Sequence, residues 1–196
     1  MLGRRGGQGG QEQGEPTTRR GQRQEDRHEF GVGGNSTRYK MKEKLISFGD
    51  DFWIEDEGGR KAFKVDGKML RVRDILAFED DRGQVLVEMA SKLIQIKDQV
   101  KLERKGGRGA VVKKDLINVV HDHFIMKVDG GEDIDISGNI LDHEYSFSKG
   151  RDKIAEVSKK WFRIRDTYGV QVEPGEDDIL ILAATVAVDQ LSHDTD

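Results

Sequence analysis

From Arg38 onward, short runs of alternating apolar and polar residues are broken by turns bearing glycine and aspartate. Phe52-Trp53-Ile54 leads into Asp56-Glu57-Gly58-Gly59, a turn signal, and Ala62-Phe63-Lys64-Val65 leads into Asp66-Gly67, another. Leu70-Arg71-Val72 alternates. Ile75-Leu76-Ala77-Phe78 does so loosely before Asp81-Arg82-Gly83, and Val85-Leu86-Val87-Glu88-Met89 follows. Many short strands at close spacing predict an all-β sandwich or barrel.

An internal repeat strengthens this reading. Lys44 to Ile54, Lys92 to Leu102 and Lys160 to Val170 each begin with Lys and carry an Asp six residues later, at Asp50, Asp98 and Asp166. A looser copy runs from Lys114 through Asp122 to Met126. Each copy reads as a hairpin, with apolar residues on strands either side of an Asp that bonds its own backbone in the turn. Repeated hairpins form a meander whose edges are hidden only by closure.

The last apolar stretch departs from the strand pattern. Pro174-Gly175-Glu176-Asp177-Asp178 supplies turn residues and then acids suited to a helix N-terminus. Ile179 to Leu191 is apolar on nearly every face, with core positions at Ile179, Leu180, Leu182, Ala183 and Val186. A helix apolar all round must be buried all round. It is also shorter than the roughly 20 residues a membrane span requires. The expected fold is therefore mainly β: a closed antiparallel barrel around a central hydrophobic C-terminal helix, with Trp161 also in the core.

Composition divides the chain. Residues 1–37 are rich in Gly, Gln, Arg and Glu and hold few large apolar side chains, which predicts a disordered tail ahead of a folded domain at 38–196. No apolar run follows Met1-Leu2-Gly3-Arg4-Arg5, so no secretory signal is read there. The net charge of −4 combines 33 basic and 37 acidic residues, so bulk charge does not suggest nucleic acid. The chain has no cysteine, which excludes disulfides, thiolate zinc sites and cysteine nucleophiles.

Several motifs together resemble the LURP-one-related (LOR) family of the tubby C-terminal-like, phospholipid-scramblase-like superfamily. They are Tyr39-Lys40-Met41-Lys42-Glu43-Lys44, Val65-Asp66-Gly67-Lys68, Asp142-His143-Glu144-Tyr145, Val157-Ser158-Lys159-Lys160-Trp161-Phe162, Asp166-Thr167-Tyr168-Gly169-Val170, and Asp177-Asp178-Ile179-Leu180-Ile181-Leu182. The resemblance covers Tyr39 to Asp194 and implies about twelve strands around the helix. Tubby domains bind phosphoinositides, and scramblases are linked to calcium-dependent lipid movement. The chain lacks the scramblases' cysteine cluster and proline-rich N-terminus, so the resemblance does not carry membrane anchoring.

Three groups of residues are candidate sites. Lys159, Lys160, Arg163 and Arg165 surround Trp161-Phe162, and Arg71 and Arg73 form a similar pair. On a strand, Arg163 and Arg165 share a face, and paired guanidinium groups suit phosphate. The plainer reading is a solvated barrel face. Asp166, Glu173, Glu176, Asp177 and Asp178 offer oxygens for calcium, although the same acids favour a helix dipole. His121-Asp122-His123, with His143, offers imidazoles for zinc or iron, and reads equally as a turn and barrel positions.

No nucleophile elbow or P-loop occurs, and Gly106-Gly107-Arg108-Gly109 lacks the required Lys-Ser/Thr. The expectation is a non-enzymatic module without cofactor, cytoplasmic or peripheral at a membrane. It is expected to be a monomer that binds anionic phospholipid headgroups or a protein partner, not nucleic acid. The alternatives are a calcium-dependent scramblase-like activity and a purely structural or regulatory interaction protein.

Overall fold

The computed structural model describes residues 36–42, 51–67, 75–91, 99–115, 123–162 and 166–193. It contains twelve strands: β1 (Thr37–Lys42), β2 (Phe52–Asp56), β3 (Lys61–Asp66), β4 (Ile75–Asp80), β5 (Val85–Ser91), β6 (Gln99–Arg104), β7 (Ala110–Lys114), β8 (His123–Val128), β9 (Ile134–Asn139), β10 (Glu144–Lys149), β11 (Asp152–Ser158) and β12 (Thr167–Val172). One helix follows, α1 (Asp178–His193).

Every strand pairs antiparallel with its neighbours in sequence, and β1 pairs with β12 to close the barrel. Closure removes both open edges. The closing register sets Tyr39 opposite Val170 and Lys40 opposite Gly169. Alternation decides which side chains point inward. Tyr39 and Met41 of β1, Phe124 and Met126 of β8, and Tyr168, Val170 and Val172 of β12 are all buried.

α1 fills the lumen. Leu182, Ala183, Ala184, Val186, Ala187 and Val188 have no exposed surface, while Ile179 is only partly buried against the core. The helix packs chiefly on β5, β6, β7 and β12. Its 16 residues extend about 24 Å at 1.5 Å per residue. Among the described residues, no helix is long and apolar enough to cross a membrane.

The two ends of the barrel differ in kind. At one end lie residues 57–60, 81–84, 105–109, 129–133, 150–151 and 173–177, which join β2–β3, β4–β5, β6–β7, β8–β9, β10–β11 and β12–α1. Each of these turns contains one positive-φ glycine and none contains a large apolar residue. Asp56 and Asp80 close two of them, each accepting two backbone N–H groups on Oδ1. The opposite end carries the longer connections, and all the repeat copies fall there. They lead into β2, β6, β8 and β12. Lys68 to Asp74, which leads into β4, has the same six-residue spacing and is a further copy.

The hairpin expectation is corrected in the third copy. β11 ends at Ser158, so Lys160, Trp161 and Phe162 lie outside any strand, and only the half after Asp166 is β. Asp166 itself has φ 63 and sits in a turn. In the other copies, residues 43–50, 92–98 and 116–122 lie outside the described residues. So do Leu70-Arg71-Val72 and the proposed 1–35 portion of the tail.

Candidate functional site

The basic segment at the end of β11 is organised by a carboxylate the sequence reading did not single out. Glu144 Oε1 accepts from the backbone N–H of Lys159 at 3.0 Å and of Lys160 at 3.1 Å. Ser158 Oγ lies 3.0 Å from both carboxylate oxygens, and Lys160 Nζ donates to Oε2 at 3.1 Å. Desolvation opposes ionisation of Glu144. The hydrogen bonds from Lys160, Ser158 and the backbone outweigh it and hold the carboxyl below its usual range. Lys160 is thus paired with an acid, although its side chain remains well exposed.

Trp161 is half-buried, not a core residue, and Phe162 beside it is buried. Both pack on the outer face of β1 and β12. The Arg38 guanidinium lies 5.2 Å from the Trp161 ring centroid, and Lys40 Nζ lies 5.8 Å from that of Phe162. The reason is Gly169. Tyr168 and Val170 point inward, so position 169 points outward, and the absence of a side chain there admits both rings. Arg163 and Arg165, next along the chain, lie outside the described residues, as do Arg71 and Arg73.

The acidic candidates are not brought together. Asp166 precedes β12, and Glu173 to Asp178 follow it. The strand's six residues separate them by about 20 Å at 3.3 Å per residue. Glu173 accepts from Gln171 at 3.2 Å. Glu176 pairs with Lys149, and Asp177 pairs with Arg104 and caps α1 through Leu180 N at 3.1 Å. Asp178 accepts a 2.6 Å bond from the Tyr39 hydroxyl. Burial first, and then Asp178, pushes that phenol far above its usual range.

Nor do the histidines converge. His123 is half-buried on the outward side of β8, with Nδ1 3.1 Å from Asp115 and Nε2 3.6 Å from Asp135. His143 lies inside the barrel at 3% exposure. His121 and Asp122 lie outside the described residues. Among the described residues, no three His, Cys, Asp or Glu side chains gather as they would around a metal ion.

A second group lies in the lumen beneath the long-connection end. The Tyr168 hydroxyl donates to Asp189 Oδ2 at 2.5 Å, and His143 Nε2 lies 3.4 Å from Asp189 Oδ1. The His143 and Tyr168 rings have centroids 4.3 Å apart. Tyr145 is fully enclosed. Burial, and then the charge of Asp189, pushes its phenol well above the usual range. His143, Tyr145 and Tyr168 all stand in the motifs quoted above, whereas the apolar pattern of the helix gives no signal for Asp189.

The family described as LURP-one-related matches residues 37–189, and the chain belongs to it. No curated protein matches. The X-ray structure of a protein from Arabidopsis thaliana has the same fold, with a TM-score of 0.55 at 17% identity over 80% of this chain and 91% of that one.

Proposed function

We propose that this LURP-one-related barrel is a non-catalytic, monomeric module that binds anionic phospholipid headgroups peripherally, through its long-connection end. The single observation that carries this reading is the difference between the two barrel ends. The segments joining β1–β2, β3–β4, β5–β6 and β11–β12 combine apolar and basic residues: Leu45-Ile46, Met69-Leu70-Arg71-Val72-Arg73, Leu93-Ile94 and Lys159-Lys160-Trp161-Phe162-Arg163-Ile164-Arg165. At the same end, Leu141 in the β9–β10 turn is 67% exposed. The turns of the opposite end carry no large apolar residue, although Val128, Ile134, Leu180 and Ile181 line a pocket beneath them. Pairs of guanidinium groups suit phosphate, and apolar residues beside them suit the headgroup boundary.

Each basic residue near an anionic surface contributes about 1 kcal/mol, so the contact is reversible and salt-sensitive. Sedimentation with phosphoinositide-containing vesicles tests the reading. The full chain is expected to pellet with anionic but not neutral vesicles, and Arg163→Glu/Arg165→Glu to remain in the supernatant. Equal and poor pelleting of both proteins overturns lipid binding. Co-purification of a stoichiometric protein instead points to a protein partner at the same end.

A further inference from the structure

The short-turn end of the barrel holds a cavity that lipid binding at the other end does not use. Its volume is about 430 Å³, within the range of roughly 300–1,000 Å³ typical of small-molecule sites. It opens where the β6–β7, β8–β9 and β12–α1 turns meet the start of α1. Val128, Ile134, Leu180 and Ile181 form its apolar lining. The last three are no more than 5% exposed, and Val128 packs against the core. This side of the cavity extends the core and suits an apolar group.

The charged residues around the cavity divide into paired and unpaired ones. Lys149 pairs with Glu176, and Asp177 pairs with Arg104 and caps α1. Two lining charges are left, Arg108 and Glu132. Among the described residues, neither forms an ion pair with the other or with any other side chain. They come from the β6–β7 and β8–β9 turns. A Cβ at Gly131 would lie 3.2 Å from Arg108 Nη1 and 3.1 Å from Val128 Cγ1. The guanidinium thus lies over the residue next to Glu132 and close to the apolar lining. One cation and one anion at the same mouth disfavour a plain anion or a plain cation, because each would meet a like charge. A molecule carrying both charges satisfies both.

We propose that this cavity binds a small zwitterion with an apolar side chain, an α-amino acid or a dipeptide. Arg108 donates to its carboxylate as a planar fork. Glu132 accepts from its ammonium group, and its side chain lies against Ile134, Leu180 and Ile181. The proposal is independent of lipid binding.

The test is calorimetric titration of the full chain with leucine, phenylalanine and leucyl-leucine. One-to-one binding of at least one of them is expected. Glycine, which lacks the apolar side chain, is expected to bind at least about tenfold more weakly. The C-terminal amide of the bound compound lacks the carboxylate charge, and its N-acetyl form lacks the ammonium. Each is expected to lose about tenfold or more in affinity. Arg108→Gln is expected to remove the preference over the amide, and Glu132→Gln the preference over the N-acetyl form. Both residues are exposed in turns, and circular dichroism establishes that each variant is folded. Arg163→Glu/Arg165→Glu is expected to bind the compound as the parent does. No binding of any of the three compounds at millimolar concentration overturns the proposal. So does binding that folded Arg108→Gln and Glu132→Gln leave unchanged.

Discussion

Tyr168 donates a 2.5 Å hydrogen bond from the barrel wall to Asp189 on the central helix, and both side chains are almost completely buried. Tyr39 makes a comparable 2.6 Å bond to Asp178 at the helix's other end. An apolar helix in an apolar lumen has little to fix its axial position, because dispersion contacts change gradually as it slides. Two directional bonds, one near each end, set that position.

The inner bond stabilises more than the outer one, because its surroundings are drier. Removing the Tyr168 hydroxyl leaves a buried carboxylate oxygen short of a donor, which costs about 1–3 kcal/mol. Tyr168→Phe is therefore expected to lower Tm by roughly 2–4 °C per kcal/mol lost, as for a domain of 150–250 residues. Tyr39→Phe is expected to cost less, since its partner lies in a part-buried pair. Thermal unfolding of both variants checks the order.

Ala184 has no exposed surface and lies midway along the helix. The small side chains at Ala183, Ala184 and Ala187 let the helix approach the barrel wall. Ala184→Asp places an unpaired charge in that core, a cost of several kcal/mol, and is expected to abolish folding. Soluble yield and circular dichroism read the outcome. A soluble variant with an unchanged Tm contradicts the buried-helix packing.

Glu144 gives a prediction with a defined pH sign. Its folded-state pKa lies below the usual carboxylate value, held there against desolvation by Lys160, Ser158 and the backbone of Lys159 and Lys160. Its stabilisation is therefore present above the unfolded pKa and is lost as pH falls through the folded one. Glu144→Gln is expected to be less stable than the parent at neutral pH by about 1 kcal/mol or more. The two proteins are expected to converge below the carboxylate range. Denaturant midpoints measured across pH test this, and a gap that stays constant into acid would place the effect on shape instead of charge.

The fold was more legible than the site, for a physical reason. Barrel and helix are written in periodicity: inward residues alternate along β12 at Tyr168, Val170 and Val172, and Leu182 to Val188 are apolar on all faces. The turn aspartates and glycines near Asp56 and Asp80 act within four residues, so they too are local signals. The site depends on contacts distant in sequence. Ser158 to Glu144, and Tyr168 to Asp189, become neighbours only once strands and helix are assembled. The third repeat copy predicts Trp161 on a strand and in the core. That β11 stops at Ser158, and that Gly169 offers an outer seat, cannot be read from local pattern.

That outer seat makes the placement of the basic segment testable. A Cβ at position 169 would lie 2.6 Å from Trp161 Cε3 and 2.9 Å from Phe162 Cε2, too close for either ring to stay in place. The rings belong to a segment outside the strands, so the segment can yield while β12 keeps its ladder. Gly169→Ala is therefore expected to lift Trp161 off the barrel and disturb its contact with Arg38. The other tryptophan, Trp53, lies on β2 and would mask the signal. In a Trp53→Phe background, Gly169→Ala is expected to shift Trp161 fluorescence to longer wavelength and lower Tm by only a few degrees. If the proposed lipid binding by the basic segment holds, it is expected to weaken in parallel, because Trp161 and Phe162 of that segment lose their seat. An unchanged emission maximum would mean that the wall of β12 gives way and the rings do not.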